Sequence, residues 1–343
     1  MVLIRVLKSW QLSESTVTPE AVFLNRRRFL KGAIATSIGG SLLPLMGCQS
    51  ETTTAASPTE GTRALRANRN PQFDLNAAGR LSGTVAEGQS DRPLTNEQIA
   101  ATYNNFYEYG GSKRIWRNAQ ALPLDNWTVT VGGAVANPRT FDWDDLQKFP
   151  LEERVYRFRC VEAWAMVVPW LGFPMKALID AVEPTAQAKF VRFTSYYNPQ
   201  ITKGPSFPPA AYMPWPYTEG LRIEEMVNEL AFFAVGIYGH TLPKQHGAPL
   251  RMVMPWKYGF KGAKSIVRID FTDTQPATFW NTISPGEYKF EANVEPDVPH
   301  PRWSQAKERL ISADSEFSWE ERPTQLYNGY AESVAPLYSR AVV

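Results

Sequence analysis

Apolar and polar positions alternate most clearly between Arg154 and Val161. On a strand, Tyr156, Phe158 and Cys160 fall on one face and Arg157 and Arg159 on the other. Past Glu162 and Trp164 an apolar segment follows, and Pro169 is expected to break it. Trp127 to Val131 alternates in the same way and meets Gly132-Gly133, predicting a strand that ends in a turn. Phe190 to Tyr196, the apolar run Leu230 to Tyr238, Leu250 to Met254 and Ser265 to Phe271 predict further short strands. Helical spacing is confined to short stretches. These are Thr95 to Tyr103, Phe141 to Phe149 with Asp142 near its start, and Phe173 to Val182, which stops before Pro184. A proline-rich excursion runs from Pro199 to Pro216. Short strands, several turns and few helices predict an α+β, sheet-rich domain.

Ahead of these elements the pattern changes. Asn25-Arg26-Arg27-Arg28-Phe29-Leu30-Lys31 precedes a moderately apolar segment, Gly32 to Gly47, that is too short to cross a bilayer. A basic stretch before a short apolar one is an export signal, and the paired arginines resemble the twin-arginine class. That route carries folded proteins, often with a cofactor already inserted, and its destination is the periplasm. Leu45-Met46-Gly47-Cys48 resembles a lipoprotein cleavage box, although Met46 stands where a small residue is usual. A lipid anchor at Cys48 and ordinary cleavage nearby both stay open. Residues 1–48 are thus expected to be the export signal and 49–92 a flexible tether and N-terminal arm. Residues 93–343 are expected to be one domain, ordered from about Leu94.

The 36 basic and 34 acidic side chains of the 343 residues nearly cancel, which argues against a nucleic-acid partner. Residues 1–48 carry a net +4 and the rest a net −2. Cys160 is the only cysteine beyond the leader, so the exported domain has no internal disulfide. A lone thiol in an oxidising compartment is at risk unless buried or ligated. A buried structural thiol is the plain alternative to a ligand.

Two other stretches carry candidate chemistry. Tyr103 to Tyr109 sets Asn104 and Asn105 among aromatics, a pattern suited to the hydrogen-bonding edges of a heteroaromatic ligand. From Gln245 to Ser265, Arg251, Lys257, Lys261 and Lys264 interleave with glycines and aromatics, as an anion-binding site for a phosphate-bearing cofactor would require. The spacing is not that of a Walker loop, and HExxH, CxxC and GxGxxG are absent. A hydrolase pairing Cys160 with His240 or His246 has no elbow or oxyanion loop to support it. A soft thiolate beside a phosphate-binding loop fits a redox metal whose other ligands come from a phosphorylated organic cofactor.

Four stretches carry a resemblance to a known family. They are Tyr103 to Tyr109; Phe149 to Pro174 with Arg159-Cys160-Val161-Glu162-Ala163-Trp164; Gly247 to Ser265; and the tail motifs Asn293, His300 to Gln305 and Asn328 to Ala331. The chain resembles the catalytic subunits of periplasmic protein-methionine-sulfoxide reductases, in the sulfite-oxidase group of molybdopterin proteins. The resemblance implies a sulfite-oxidase-type molybdopterin-binding domain with one mononuclear molybdenum on molybdopterin. It also implies no haem on this chain, electrons from a separate membrane haem-b subunit, and oxidised periplasmic proteins as substrates. Cys160 would be the metal ligand, with Glu162 and Arg159 orienting metal or substrate. Asn104, Tyr107, Glu108, Ser195 and His246 would contact the pterin, while Arg251, Gly262, Ala263 and Lys264 would hold the pyranopterin and its phosphate. Ser195 stands where the family often has Thr, and His246 where it often has Asn, so protonation of His246 is expected to alter the cofactor's pH response. Oxidation of a small sulfur compound, as in sulfite oxidases, and a non-catalytic ligand-binding lipoprotein are the rival readings.

Overall fold

In the computed structural model, residues 57–74, 92, 94–206, 210–311 and 319–338 are described. The export signal and Cys48 lie outside them. Strands β1 (Asn68–Asp74), β2 (Thr128–Gly133), β3 (Arg139–Asp142), β4 (Glu152–Arg159) and β5 (Trp164–Pro174) come first. They are followed by β6 (Phe190–Ser195), β7 (Thr218–Arg222), β8 (Phe232–Ile237) and β9 (His240–Thr241). The last are β10 (Arg251–Val253), β11 (Ile266–Thr272), β12 (Lys307–Leu310) and β13 (Glu320–Pro323). They build two mixed sheets, one ordered β1-β4-β5-β12-β13 with β8, β9 and β10 attached through β5, the other ordered β3-β2-β11-β6-β7.

The sheets meet through aromatic side chains. Phe233 of β8 packs 5.6 Å from Phe173 of β5 and 6.1 Å from Phe193 of β6, ring centre to ring centre. Strand β5 is buried on both faces, because Val155, Ala165, Val167 and Leu310 form a small second core behind the main one. Burial of that kind erases the alternation that marks a half-exposed strand.

Several expected boundaries move. Pro169 does not break the apolar segment: β5 runs through it, opposite Val155 of β4. Pairing of β5 with β8 begins one residue later, at Trp170↔Ile237, and the Pro169 carbonyl still accepts from the Tyr238 N–H at 3.1 Å. The missing N–H is therefore not needed on that side. Gly132-Gly133 is not a turn but the end of β2, paired with Asp270 and Phe271 of β11. The helix expected from Phe173 spans Met175–Val182, since Phe173 belongs to β5. Asp142 caps the helix Trp143–Gln147 through a capping box with Asp145.

The N-terminal arm is also more than a tether, and order does not wait for Leu94. Strand β1 lies parallel to β4, and Arg154 stacks 3.8 Å over the Phe73 ring. The Pro58 carbonyl accepts from Gln245 Nε2 at 2.6 Å, and Arg92 is buried in an ion pair with Glu308. These contacts are with residues far along the chain, so local composition does not report them.

Candidate active site

Strands β4 and β5 are joined by the tight turn Cys160-Val161-Glu162-Ala163. The Ala163 N–H donates to the Cys160 carbonyl at 3.0 Å, and Ala163 takes φ +64°. The turn aims the Cys160 thiol into a cavity of about 1110 Å³, partly open to solvent, on the Phe158 side of the hairpin. Arg159 points the other way and is fully buried. Its guanidinium donates to Glu308 Oε2 at 3.1 Å, to Gln305 Oε1 at 2.9 Å and to the Cys160 carbonyl. It holds the turn from behind rather than orienting a substrate.

Glu162 lies at the partly exposed side of the cavity within a polar clamp. Lys113 Nζ donates to its carboxylate and, at 2.6 Å, to Asn105 Oδ1. Asn105 Nδ2 and Trp164 Nε1 donate to Glu162 Oε2 at 2.9 and 3.2 Å. Burial alone would raise the Glu162 carboxyl, but Lys113 and these donors outweigh it and hold the group below the usual glutamate range. Burial, with Glu162 adding to it, pushes the Cys160 thiol up to about 12. A thiol there is neutral by itself, and a cation beside it converts it to the thiolate.

Two cations also line the cavity. Arg251 is buried and Lys264 half-buried, and among the described residues neither makes an ion pair. Arg251 donates only to the His246 and Met252 carbonyls, at 3.0 and 3.2 Å, and lies 4.7 Å over the Trp170 ring. Burial lowers Arg251 to about 9. Burial, then the neighbouring Arg251, lowers Lys264 to about 8, with Glu108 partly offsetting both. Burial raises Glu108 to about 7 against the pull of Lys264. A buried and a half-buried cation lining one cavity are costly unless an anion enters it.

Of the other residues expected here, Asn104, Tyr107, Glu108, His246 and Gly262 line the cavity with Cys160, Glu162, Arg251 and Lys264. Ser195 and Ala263 are buried outside the lining, Ser195 beside Glu108 at the end of β6. His246 is held neutral: burial first, then Arg251 and Lys264, lower it to about 3. His240 is exposed near Glu97 and does not line the cavity, so it cannot activate the thiol. The basic run also divides. Lys257 donates to Glu225 at 2.5 Å and Lys261 pairs with Glu219 at 3.1 Å, which leaves Arg251 and Lys264 for the cavity.

Trp164, Trp170, Trp280, Tyr288 and Asn105 also line the cavity. Lys113, which reaches the site through its pairing with Glu162, was not foreseen at all. Lys113 follows Gly110-Gly111 in a loop without periodic pattern, and nothing local distinguishes it from a solvated lysine.

A molybdopterin group fits these walls. Among the described residues no three His, Cys, Asp or Glu side chains converge, so a metal at Cys160 takes its other ligands from a non-protein group. Arg251 and Lys264 supply the counter-charge for a phosphate. Asn104 Oδ1, buried with no partner, leaves an acceptor for a pterin N–H.

Comparison with known proteins agrees with this chemistry. The model of the oxidoreductase molybdopterin binding domain matches residues 118–280, which include Cys160, His246, Arg251 and Lys264. A protein-methionine-sulfoxide reductase catalytic subunit, MsrP, of Burkholderia mallei (strain ATCC 23344) is 47% identical over 330 residues, 95% of this chain and 93% of that protein. Among solved structures, the sulfane dehydrogenase SoxCD of Paracoccus pantotrophus aligns with a TM-score of 0.41 at 17% identity. That alignment covers 57% of this chain and 49% of the other, and is too loose to bear on the site. The chain belongs to the family of protein-methionine-sulfoxide reductase catalytic subunits.

Proposed function

We propose that the chain reduces methionine sulfoxide in exported proteins to methionine, consuming two electrons and two protons and releasing water. The observation that carries this is the Cys160 thiol aimed into a cavity also lined by Arg251 and Lys264, cations that make no ion pair among the described residues. When bound, molybdenum on molybdopterin supplies two-electron oxygen-atom chemistry where Cys160 points.

The chain's own residues do the rest. Cys160 ligates the metal. Arg251, Lys264 and the Gly262–Ala263 backbone hold the phosphate end, and Asn104, Tyr107, Glu108 and His246 meet the polar edges of the pterin. Ser195 sets Glu108 from behind. Lys113 Nζ and Asn105 Nδ2, the latter 3.5 Å from the thiol sulfur, present donors to the sulfoxide oxygen. Half-buried Tyr107 and Trp280, 4.8 Å apart, give the methionine side chain an aromatic wall.

The relative's name as a catalytic subunit supports a separate electron donor, which we take to be a membrane haem-b protein. The paired arginines of the leader support export of the folded protein to the periplasm by the twin-arginine route, with lipid attachment at Cys48 and ordinary cleavage nearby both open. The test is metal content by mass spectrometry on exported protein, wild type beside Cys160→Ala, with turnover of methionine sulfoxide and of sulfite. About one molybdenum per chain with sulfoxide reduction lost in the variant is the expected result. Absence of molybdenum from exported wild type, or turnover of sulfite alone, would overturn the reading.

A further inference from the structure

A second cavity, of about 860 Å³, lies on the outward side of the β6-β7 pair, enclosed by the Pro214-Trp215-Pro216 segment and the stretch from Thr274 to Thr282. Its walls are apolar, from Trp215, Phe279 and Pro276, and are edged by threonine hydroxyls. Arg192 of β6 supplies the charge among its lining residues. The alternation of β6 buries Val191, Phe193 and Ser195 and turns Arg192 outward. The nearest carboxylate across the ladder, Asp270, is engaged by Arg268 at 2.9 and 2.8 Å. The Arg192 side chain makes no hydrogen bond or ion pair among the described residues.

This cavity shares a wall with the active site. Neighbouring residues face different sides of it: Tyr217 lines the first cavity, and Pro216 and Thr218 the second. Trp280 lines the first and Phe279 the second. Ring centres step 4.8 Å from Trp280 to Tyr107 and 6.4 Å from Tyr107 to Trp215, which is half-exposed. An extended polypeptide advances about 3.3 Å per residue, so three or four residues link the two cavities.

We propose that the second cavity is a subsite for an acidic side chain of the substrate polypeptide, three or four residues from the methionine sulfoxide. One unpaired guanidinium matches one carboxylate, which it can hold by two parallel hydrogen bonds, and the apolar walls accept the methylene stem. The continuity of the wall with the active site makes the substrate chain itself the occupant. The inference rests on methionine sulfoxide in proteins being the substrate.

The test uses cofactor-loaded enzyme, wild type and Arg192→Glu, with short fluorescent peptides that each carry one methionine sulfoxide. A glutamate stands four residues before or four residues after it, with alanine and lysine peptides as controls. Binding is read by anisotropy, independently of turnover. One glutamate placement should bind wild type about fivefold more tightly than its alanine control, and Arg192→Glu should abolish the difference and favour the lysine peptide. Reduction of free methionine sulfoxide should be unchanged in the variant. Equal binding of all peptides by wild type, or a preference that survives Arg192→Glu, would overturn the subsite. Failure of wild type to reduce free and peptide sulfoxides alike would overturn the proposed activity instead, while the anisotropy still decides whether the subsite exists.

Discussion

Gly247 and Lys264 approach so closely that no side chain fits between them: a Cβ on Gly247 would stand 2.6 Å from Lys264 Cβ and 3.1 Å from its Cα. Gly247 also has φ +95°, a conformation that glycine adopts without strain. Its carbonyl accepts from the Ser265 N–H at 3.0 Å, so the two loops are locked together at the wall where Lys264 faces the cavity. Gly247→Ala should therefore cost about 1–3 kcal/mol and move Lys264 off its position. The expected outcome is a lower melting temperature and a molybdenum content well below one per chain. Full metal loading in this variant would show that Lys264 does not hold the cofactor.

Arg159 is a support of the Cys160 turn, and its substitution should read as a structural lesion. Arg159→Met removes the donors to Gln305 and Cys160 and leaves Glu308 to Arg92 alone. A loss of about 3 kcal/mol is expected in urea unfolding, because a fully buried ion pair loses one partner. Arg159→Lys should recover only part of it, since one ammonium cannot replace a guanidinium that reaches several acceptors. A lysine variant of normal stability and metal content but without turnover would restore Arg159 to the reaction itself.

Lys113 is expected to behave in the opposite way. It is partly exposed, so Lys113→Met should change stability by no more than about 0.5 kcal/mol and leave metal content intact. It would nonetheless free Glu162 and Asn105 from their shared cation. A fall on the order of tenfold in kcat/KM for methionine sulfoxide is expected. An unchanged kcat/KM would remove the clamp from any part in the reaction.

These three positions also mark how far the sequence could be read. Cys160, Glu162 and the aromatic run with Asn104 and Asn105 were legible because unusual residues cluster within short windows, and six of the thirteen strands because alternation marks β2, β4 and β6 in the sequence and short apolar runs mark β8, β10 and β11. The position of Arg159 behind the turn followed from the same alternation, but its partners Glu308 and Gln305 come from the far end of the chain. Lys113 and Trp280 carry no local signal and enter the site only through folding. The division of the basic run was illegible for the same reason, since Glu219 lies 42 residues before Lys261 and Glu225 lies 32 before Lys257.

That division makes a last, pH-dependent prediction. Lys257, Asn293 and Glu225 are buried and form a cluster with half-buried Tyr338, whose Oη lies 2.7 Å from Glu225 Oε1, while Lys257 Nζ lies 2.9 Å from Asn293 Oδ1. Burial alone would raise the Glu225 carboxyl, but Lys257 and the hydrogen bonds hold it at about 2. Its contribution is thus fully present above the unfolded value of 4.5 and is lost as pH falls toward 2. Burial of Lys257 acts in the opposite sense, pushing the ammonium down, so the pair contributes less than Glu225 alone suggests. In Lys257→Met the carboxylate loses its cation while staying buried, and its folded pKa moves above the unfolded one. The penalty, about 3 kcal/mol at pH 7, should then shrink as the pH falls from that raised value to 4.5, because protonation removes the unpaired charge, and shrink further below 4.5 as wild type loses its own contribution. Urea unfolding of wild type and variant at pH 7 and pH 4 measures it. An equal penalty at both pH values would mean that lost packing, rather than an unpaired carboxylate, dominates, and Glu225→Gln in the variant background should then restore nothing.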